Sequence, residues 1–138
     1  MTQDIKKQNS VVKKGHILVV DDDQIILRLV EATFLMKGYY VRTANNAKSG
    51  LVKALSETPD LILLDYMMPE RNGLELLKDL RAVPELSDLP VIMLTADGSP
   101  EIVSRAIQTG VNDYIVKPIN IPRLVERVQK WLPAVPTE

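Results

Sequence analysis

The chain has 138 residues with 17 basic and 18 acidic side chains, a net charge of -1 and no cysteine. A single domain of this length can remove roughly two-thirds of its unfolded surface from water, and there is little room for two domains. The charge balance leaves no overall field favouring nucleic acid or an anionic membrane, and the lack of cysteine excludes disulfides and thiolate chemistry, which fits a reducing compartment, by default the cytoplasm.

Residues 1–15 carry Lys6, Lys7, Lys13 and Lys14 among polar neighbours, without the apolar stretch of a secretory signal; a flexible leader is expected. No run approaches the roughly twenty apolar residues of a membrane span. The first strand is predicted over 16–20, and Asp21, Asp22 and Asp23 follow it. A helix over 24–37 presents Ile26, Leu29, Val30, Thr33 and Phe34 and closes at Gly38, a residue suited to a C-cap. A second strand covers 39–43, and a helix over 46–57 carries Leu51, Ala54 and Leu55 at helical spacing. The third strand, 60–65, ends at Asp65 and runs into Tyr66, Met67, Met68 and Pro69. The next helix, 74–83, presents Leu76, Leu77 and Leu80. Thr95 ends a fourth strand over 90–95, and Ser99 with Pro100 supplies the N-cap and first-turn proline of a helix reaching Gly110. Lys117 follows a fifth strand over 112–116, and Asn120 and Pro122 open a last helix toward Trp131. Residues 133–138 read as a tail or the start of a linker, which leaves 16–132 as the domain.

Nearly unbroken apolar runs suit strands covered on both faces. Their alternation with helices predicts an α/β fold, a doubly wound five-stranded parallel sheet with helices on both faces. The order 2-1-3-4-5 is the compact, flavodoxin-like solution, with its switch point between the first and third strands. Ligands bind at the carboxyl ends of the strands at such a point. Asp21, Asp22, Asp65, Thr95 and Lys117 are therefore expected to converge on one acidic pocket.

Crowded carboxylates repel one another and either hold protons or recruit a cation. Magnesium prefers oxygen ligands, keeps several waters and takes one or two carboxylates plus phosphate oxygens. Asp22 and Asp65 suit that role, with the backbone carbonyl of Met67 as a third ligand and Asp21 holding a coordinated water. A carboxylate such as Asp65 can also act as a nucleophile toward phosphorus. The Lys117 ammonium would offset charge on the transferring group, and the Thr95 hydroxyl would hydrogen-bond a phosphoryl oxygen.

These residues carry a resemblance. Val19-Val20-Asp21-Asp22, Leu64-Asp65-Tyr66-Met67-Met68-Pro69 with Gly73 eight residues after the aspartate, Leu94-Thr95-Ala96 and Tyr114-Ile115-Val116-Lys117-Pro118 together resemble the receiver domain of two-component response regulators, including its single-domain chemotaxis members. The resemblance covers residues 16 to about 132. It implies that Asp65 accepts a phosphoryl group from a sensor histidine kinase, a histidine phosphotransfer protein or a small acyl phosphate, with magnesium required. It further implies that Thr95 moves toward the phosphate, that Tyr114 swings inward, and that the surface of the fourth and fifth strands and helices changes for an effector protein or an output domain. A cis Lys117-Pro118 peptide belongs to the same expectation. Polar residues are frequent in the family where Met67 stands, and Met67 with Asp97 is expected to tune the lifetime of the phosphoryl group. Such a domain is a switch that catalyses only its own phosphorylation and dephosphorylation.

Blander readings apply to each residue alone. Asp23 suits an N-cap, Tyr114 a packed aromatic, and His16, the sole histidine, a structural role rather than a phosphocarrier. A different function class is a phosphatase of the haloacid dehalogenase type, with Asp21 as nucleophile. A third is a receiver-like module that binds partners without phosphorylation. No output segment follows Trp131 in this sequence, so the chain is expected either as a stand-alone receiver or as a piece of a longer regulator.

Overall fold

The computed structural model describes residues 12–133 and 135–136. Most of the expected leader, residues 1–11, and three residues of the expected tail lie outside the described residues. Five parallel strands, β1 (His16–Val20), β2 (Tyr40–Ala44), β3 (Leu61–Asp65), β4 (Val91–Thr95) and β5 (Asp113–Val116), form one sheet in the order β2-β1-β3-β4-β5. This is the expected 2-1-3-4-5 arrangement. Among the described residues five helices cover it: α1 (Gln24–Met36), α2 (Ala47–Ser56), α3 (Gly73–Ala82), α4 (Pro100–Thr109) and α5 (Ile121–Trp131). Among the described residues no helix is long and apolar enough to cross a membrane.

Strand side chains alternate between two buried layers, as the two-residue period of a strand requires. Leu18, Val20, Ile62, Leu64, Val91 and Met93 face α2, α3 and α4, whereas Ile17, Val19, Leu61, Leu63, Ile92 and Leu94 face α1 and α5. Both faces are dry, which is why β1, β3 and β4 are apolar throughout. The register aligns the strand ends: Val20 lies beside Ala44 and Leu64, Asp65 beside Leu94, and Thr95 beside Val116. Residues that follow these positions therefore share one edge.

Two helix faces differ from the sequence expectation. The buried side of α1 is Leu27, Val30 and Phe34, while Leu29 is 43% exposed. The helix begins with a run of apolar residues that offers two overlapping faces, and the register set by its cap decides between them. In α2 the buried residues are Ala47, Gly50 and Ala54, and Leu55 points outward. A Cβ at Gly50 would sit 3.0 Å from Cγ2 of Val20, so the small side lets α2 approach β1 closely. A 3-10 turn, Pro84–Leu86, was not expected. A two-residue antiparallel pairing of Val12–Lys13 with Val135–Pro136 joins the segment expected as leader to that expected as tail.

Candidate functional site

The end of β1 continues its pairing for one more residue, Asp21 N–H donating to the Ala44 carbonyl at 3.1 Å, and this carries Asp21 into full burial. The chain then turns outward. Asp22 is exposed, and Asp23 caps α1 by accepting hydrogen bonds from the Ile25 and Ile26 amides. Asp65, at the end of β3, is 2% exposed. One carboxylate oxygen from each of Asp21, Asp22 and Asp65 lies within 4.8 Å of the others. Lys117, just beyond β5, reaches across the edge to place Nζ 2.9 Å from Asp21 Oδ2 and 3.2 Å from Asp65 Oδ1.

Three carboxylates thus face one ammonium. Burial pushes the Asp65 carboxyl up to about 7, the Asp21 charge adds to this, and Lys117 offsets it only in part. Burial alone would pull the Lys117 ammonium down, but hydrogen bonds and charge from Asp21 and Asp65 outweigh it and the net direction is up. The surplus negative charge and the oxygen-only donor set suit a hard divalent cation. The site fits such an ion through Asp21, Asp22 and Asp65.

The loop after Asp65 is tightly built. A Cβ at Gly73 would lie 2.4 Å from the Asp65 carbonyl oxygen, so only glycine lets the first turn of α3 rest against the backbone of Asp65. The Gly73 amide donates to the Tyr66 carbonyl at 2.8 Å. Asn72 and Glu75 close a reciprocal capping box on α3. Between them and Pro69, Glu70 adopts φ +69°, and the Arg71 amide bonds the Pro69 carbonyl at 2.8 Å. Met67 is 60% exposed, whereas Met68 is buried in the core. Together with Asp22, Tyr66, Pro69 and Asn72 the two methionines line a mouth of about 450 Å³.

Thr95 is fully buried, and its Oγ1 accepts from the Asp97 amide at 2.9 Å. The Asp97 carboxylate accepts from the Ser99 amide at 2.9 Å, and Ser99 caps α4. The half-buried Tyr114 donates its hydroxyl hydrogen bond to the Asp97 carbonyl. Asp97 is therefore the joint between Thr95, Tyr114 and the start of α4, a position that residue type alone did not signal. Burial pushes the Tyr114 hydroxyl up. The Lys117–Pro118 peptide is cis.

Every residue expected at the pocket lies along this strand edge, and Asp21, Asp22, Asp65 and Lys117 meet directly. Both oxygens of Asp21 are engaged, one by the Asp23 amide at 2.9 Å and one by Lys117, which disfavours Asp21 as a nucleophile. Tyr66 and Asn72 in the mouth were not anticipated. For Asn72 a signal existed, since Asn-x-x-Glu is a capping pattern.

Residues 17–129 match the family described as response regulator receiver domain. The phosphate regulon transcriptional regulatory protein PhoB of Rhizobium meliloti is 37% identical over 116 residues, covering 84% of this chain and 51% of that protein. The uncharacterized transcriptional regulatory protein YkoG of Bacillus subtilis is 40% identical over 122 residues, covering 88% and 52%. The chain thus spans about half the length of these relatives. The structure of Vibrio cholerae chemotaxis protein CheY4 superposes with a TM-score of 0.83 at 32% identity, covering 87% of this chain and all of that one.

Proposed function

The chain belongs to the response regulator receiver domain family, the phosphoacceptor module of two-component signalling, and from that premise we propose that Asp65 is its phosphoacceptor. The observation that carries this reading is the buried Asp65 carboxylate held 3.2 Å from Lys117 within a cluster of three carboxylates. An Asp65 oxygen attacks phosphorus, the bond between phosphorus and the donor imidazole breaks, and the imidazole leaves. Lys117, then freed from part of its contact with Asp65, offsets charge on the transferred group.

Asp22, Asp65 and the Met67 carbonyl would hold magnesium, with Asp21 acting through a water. When bound, the ion supplies neutralisation of charge on the phosphoryl oxygens. Thr95 would donate its hydroxyl hydrogen bond to a phosphoryl oxygen. Because Thr95 Oγ1 also accepts from the Asp97 amide, a shift of Thr95 disturbs the joint that Tyr114 also grips. The surface of α4, β5 and α5 changes as a result, and an effector protein or an output domain reads it. The phosphoryl donor is a sensor histidine kinase or a histidine phosphotransfer protein, and the exchange takes place in the cytoplasm.

Incubation with acetyl phosphate tests the central claim. Label should appear with magnesium, fall sharply with chelator and vanish in Asp65→Asn; label retained in Asp65→Asn would remove the reading. Met67 lines the mouth, and Met67 and Asp97 tune phosphoryl lifetime. The dephosphorylation rate of Met67→Asn should differ from that of the native protein, and equal rates would exclude the role of Met67.

A further inference from the structure

At the other end of β1, roughly 16 Å from Asp21 by strand rise, stands a polar cluster that phosphoryl transfer does not use. Its centre is His16, which is 7% exposed. The Nε2 atom of His16 accepts a hydrogen bond from Nε of Arg42 at 2.9 Å. An accepting Nε2 fixes the neutral imidazole with its proton on Nδ1, the atom that lies 4.0 Å from Glu57 Oε2. The Arg42 guanidinium extends one arm further and donates to the carbonyls of Lys53 and Glu57 at the end of α2. The Lys53 carbonyl also accepts from the Glu57 amide and the Ser56 hydroxyl, whereas the Glu57 carbonyl lies past the last turn, where no further helical amide follows. Arg42 therefore ties β2, an edge strand, to the end of α2, with His16 holding the guanidinium in place.

The remaining groups around the ring are Tyr40, Asp60 and the Thr58 carbonyl. The Tyr40 ring packs with its centroid 4.5 Å from the imidazole. An Asp60 carboxylate oxygen is occupied by the His16 backbone amide at 2.8 Å. Burial and the Arg42 charge hold the imidazole below its ordinary value, against the opposing pull of Glu57, Asp60 and Thr58.

We propose that the His16–Arg42 contact is an acid-released clasp: a proton on Nε2 turns the acceptor into a donor facing Arg42 Nε, ejects the guanidinium, and frees the last turn of α2 from β2. Two donors and two positive charges cannot share that contact. The clasp is complete above the ordinary histidine range and is lost as pH falls through the lower value of the folded state. Release is local, because the aspartate edge shares none of these groups.

Since His16 is the only histidine, imidazole nitrogen NMR reads it without ambiguity. The expected result is a neutral Nδ1–H tautomer at pH 7.5, titration below about 6.5, and movement of the Arg42 Nε signal with the same midpoint. Hydrogen exchange, corrected for intrinsic pH dependence, should quicken about tenfold or more for amides at the end of α2 between pH 7 and pH 5. His16→Gln retains an accepting oxygen without a titrating group and should remove that change. An imidazole titrating at or above the ordinary value, an Arg42 signal indifferent to it, or the same pH response in His16→Gln would each overturn the proposal. If the glutamine variant does not fold, the imidazole and Arg42 signals of the native protein decide alone.

Discussion

The two ends of the sheet treat charge in opposite ways. At the carboxyl edge, Asp21, Asp22 and Asp65 outnumber Lys117, and Asp65 is held up to about 7. At the amino edge, Arg42 meets His16, Glu57 and two helix carbonyls, and its donors are matched to acceptors. One end is left electrostatically unfinished and the other is closed. The same strand, β1, runs from one to the other. Where charges are balanced, the polar groups serve the fold; where they are not, the fold has to hold a cluster that would relax if given a counterion.

The contrast can be tested in order of expected effect. Lys117→Met removes the only cation contacting Asp21 and Asp65 among the described residues. It should slow acetyl phosphate labelling by roughly 10²–10³-fold, the scale of losing a preorganised charge-stabilising group. A smaller loss would make Lys117 a structural partner only.

Asp65→Asn should stabilise the metal-free protein, with a rise in Tm on the order of a few degrees near neutral pH. The sign follows from linkage: the unfolded carboxyl titrates near 3.8 and the folded one near 7. Between those values the folded state holds a proton that the unfolded state has released, so stability falls as pH rises through this window. The advantage of the variant should open from about pH 4 upward, vanish below it, and shrink when magnesium is added. Scans at several pH values, with and without the ion, read all three.

At the opposite edge, Arg42→Met should destabilise by about 2 kcal/mol, since it leaves the imidazole nitrogen and the Glu57 carbonyl without this donor. Urea unfolding measures it, and acetyl phosphate labelling should be unchanged if the two ends are independent. The smallest effect is expected at Glu70, whose φ of +69° is costly for a side chain. Glu70→Gly should stabilise by about 1 kcal/mol in the same assay.

Sequence reading reached the fold because β1, β3 and β4 are buried on both faces and so are written almost wholly in Val, Ile, Leu and Met. Their ends then announce themselves through the first polar residue, which is how Asp21, Asp65 and Thr95 were legible; Lys117 is likewise the first polar residue after β5. Leu29 and Leu55 face outward for a different reason. In α1 several apolar residues compete for one face, and in α2 the contact with β1 selects smallness at Gly50 over hydrophobicity at Leu55. Periodicity carries neither distinction. The role of Asp97 was out of reach because its backbone amide and carbonyl do the joining, and main-chain groups leave no mark in the residue type.

The resting of α3 on the Asp65 carbonyl through Gly73 makes the interval from 65 to 73 a span of fixed length. An extra residue there would lift the helix off its seat and displace the Asp65 carboxylate from its cluster. The segment between α3 and β4, far from that seat, is the place where a graft or a new pair of termini would leave the chemistry intact.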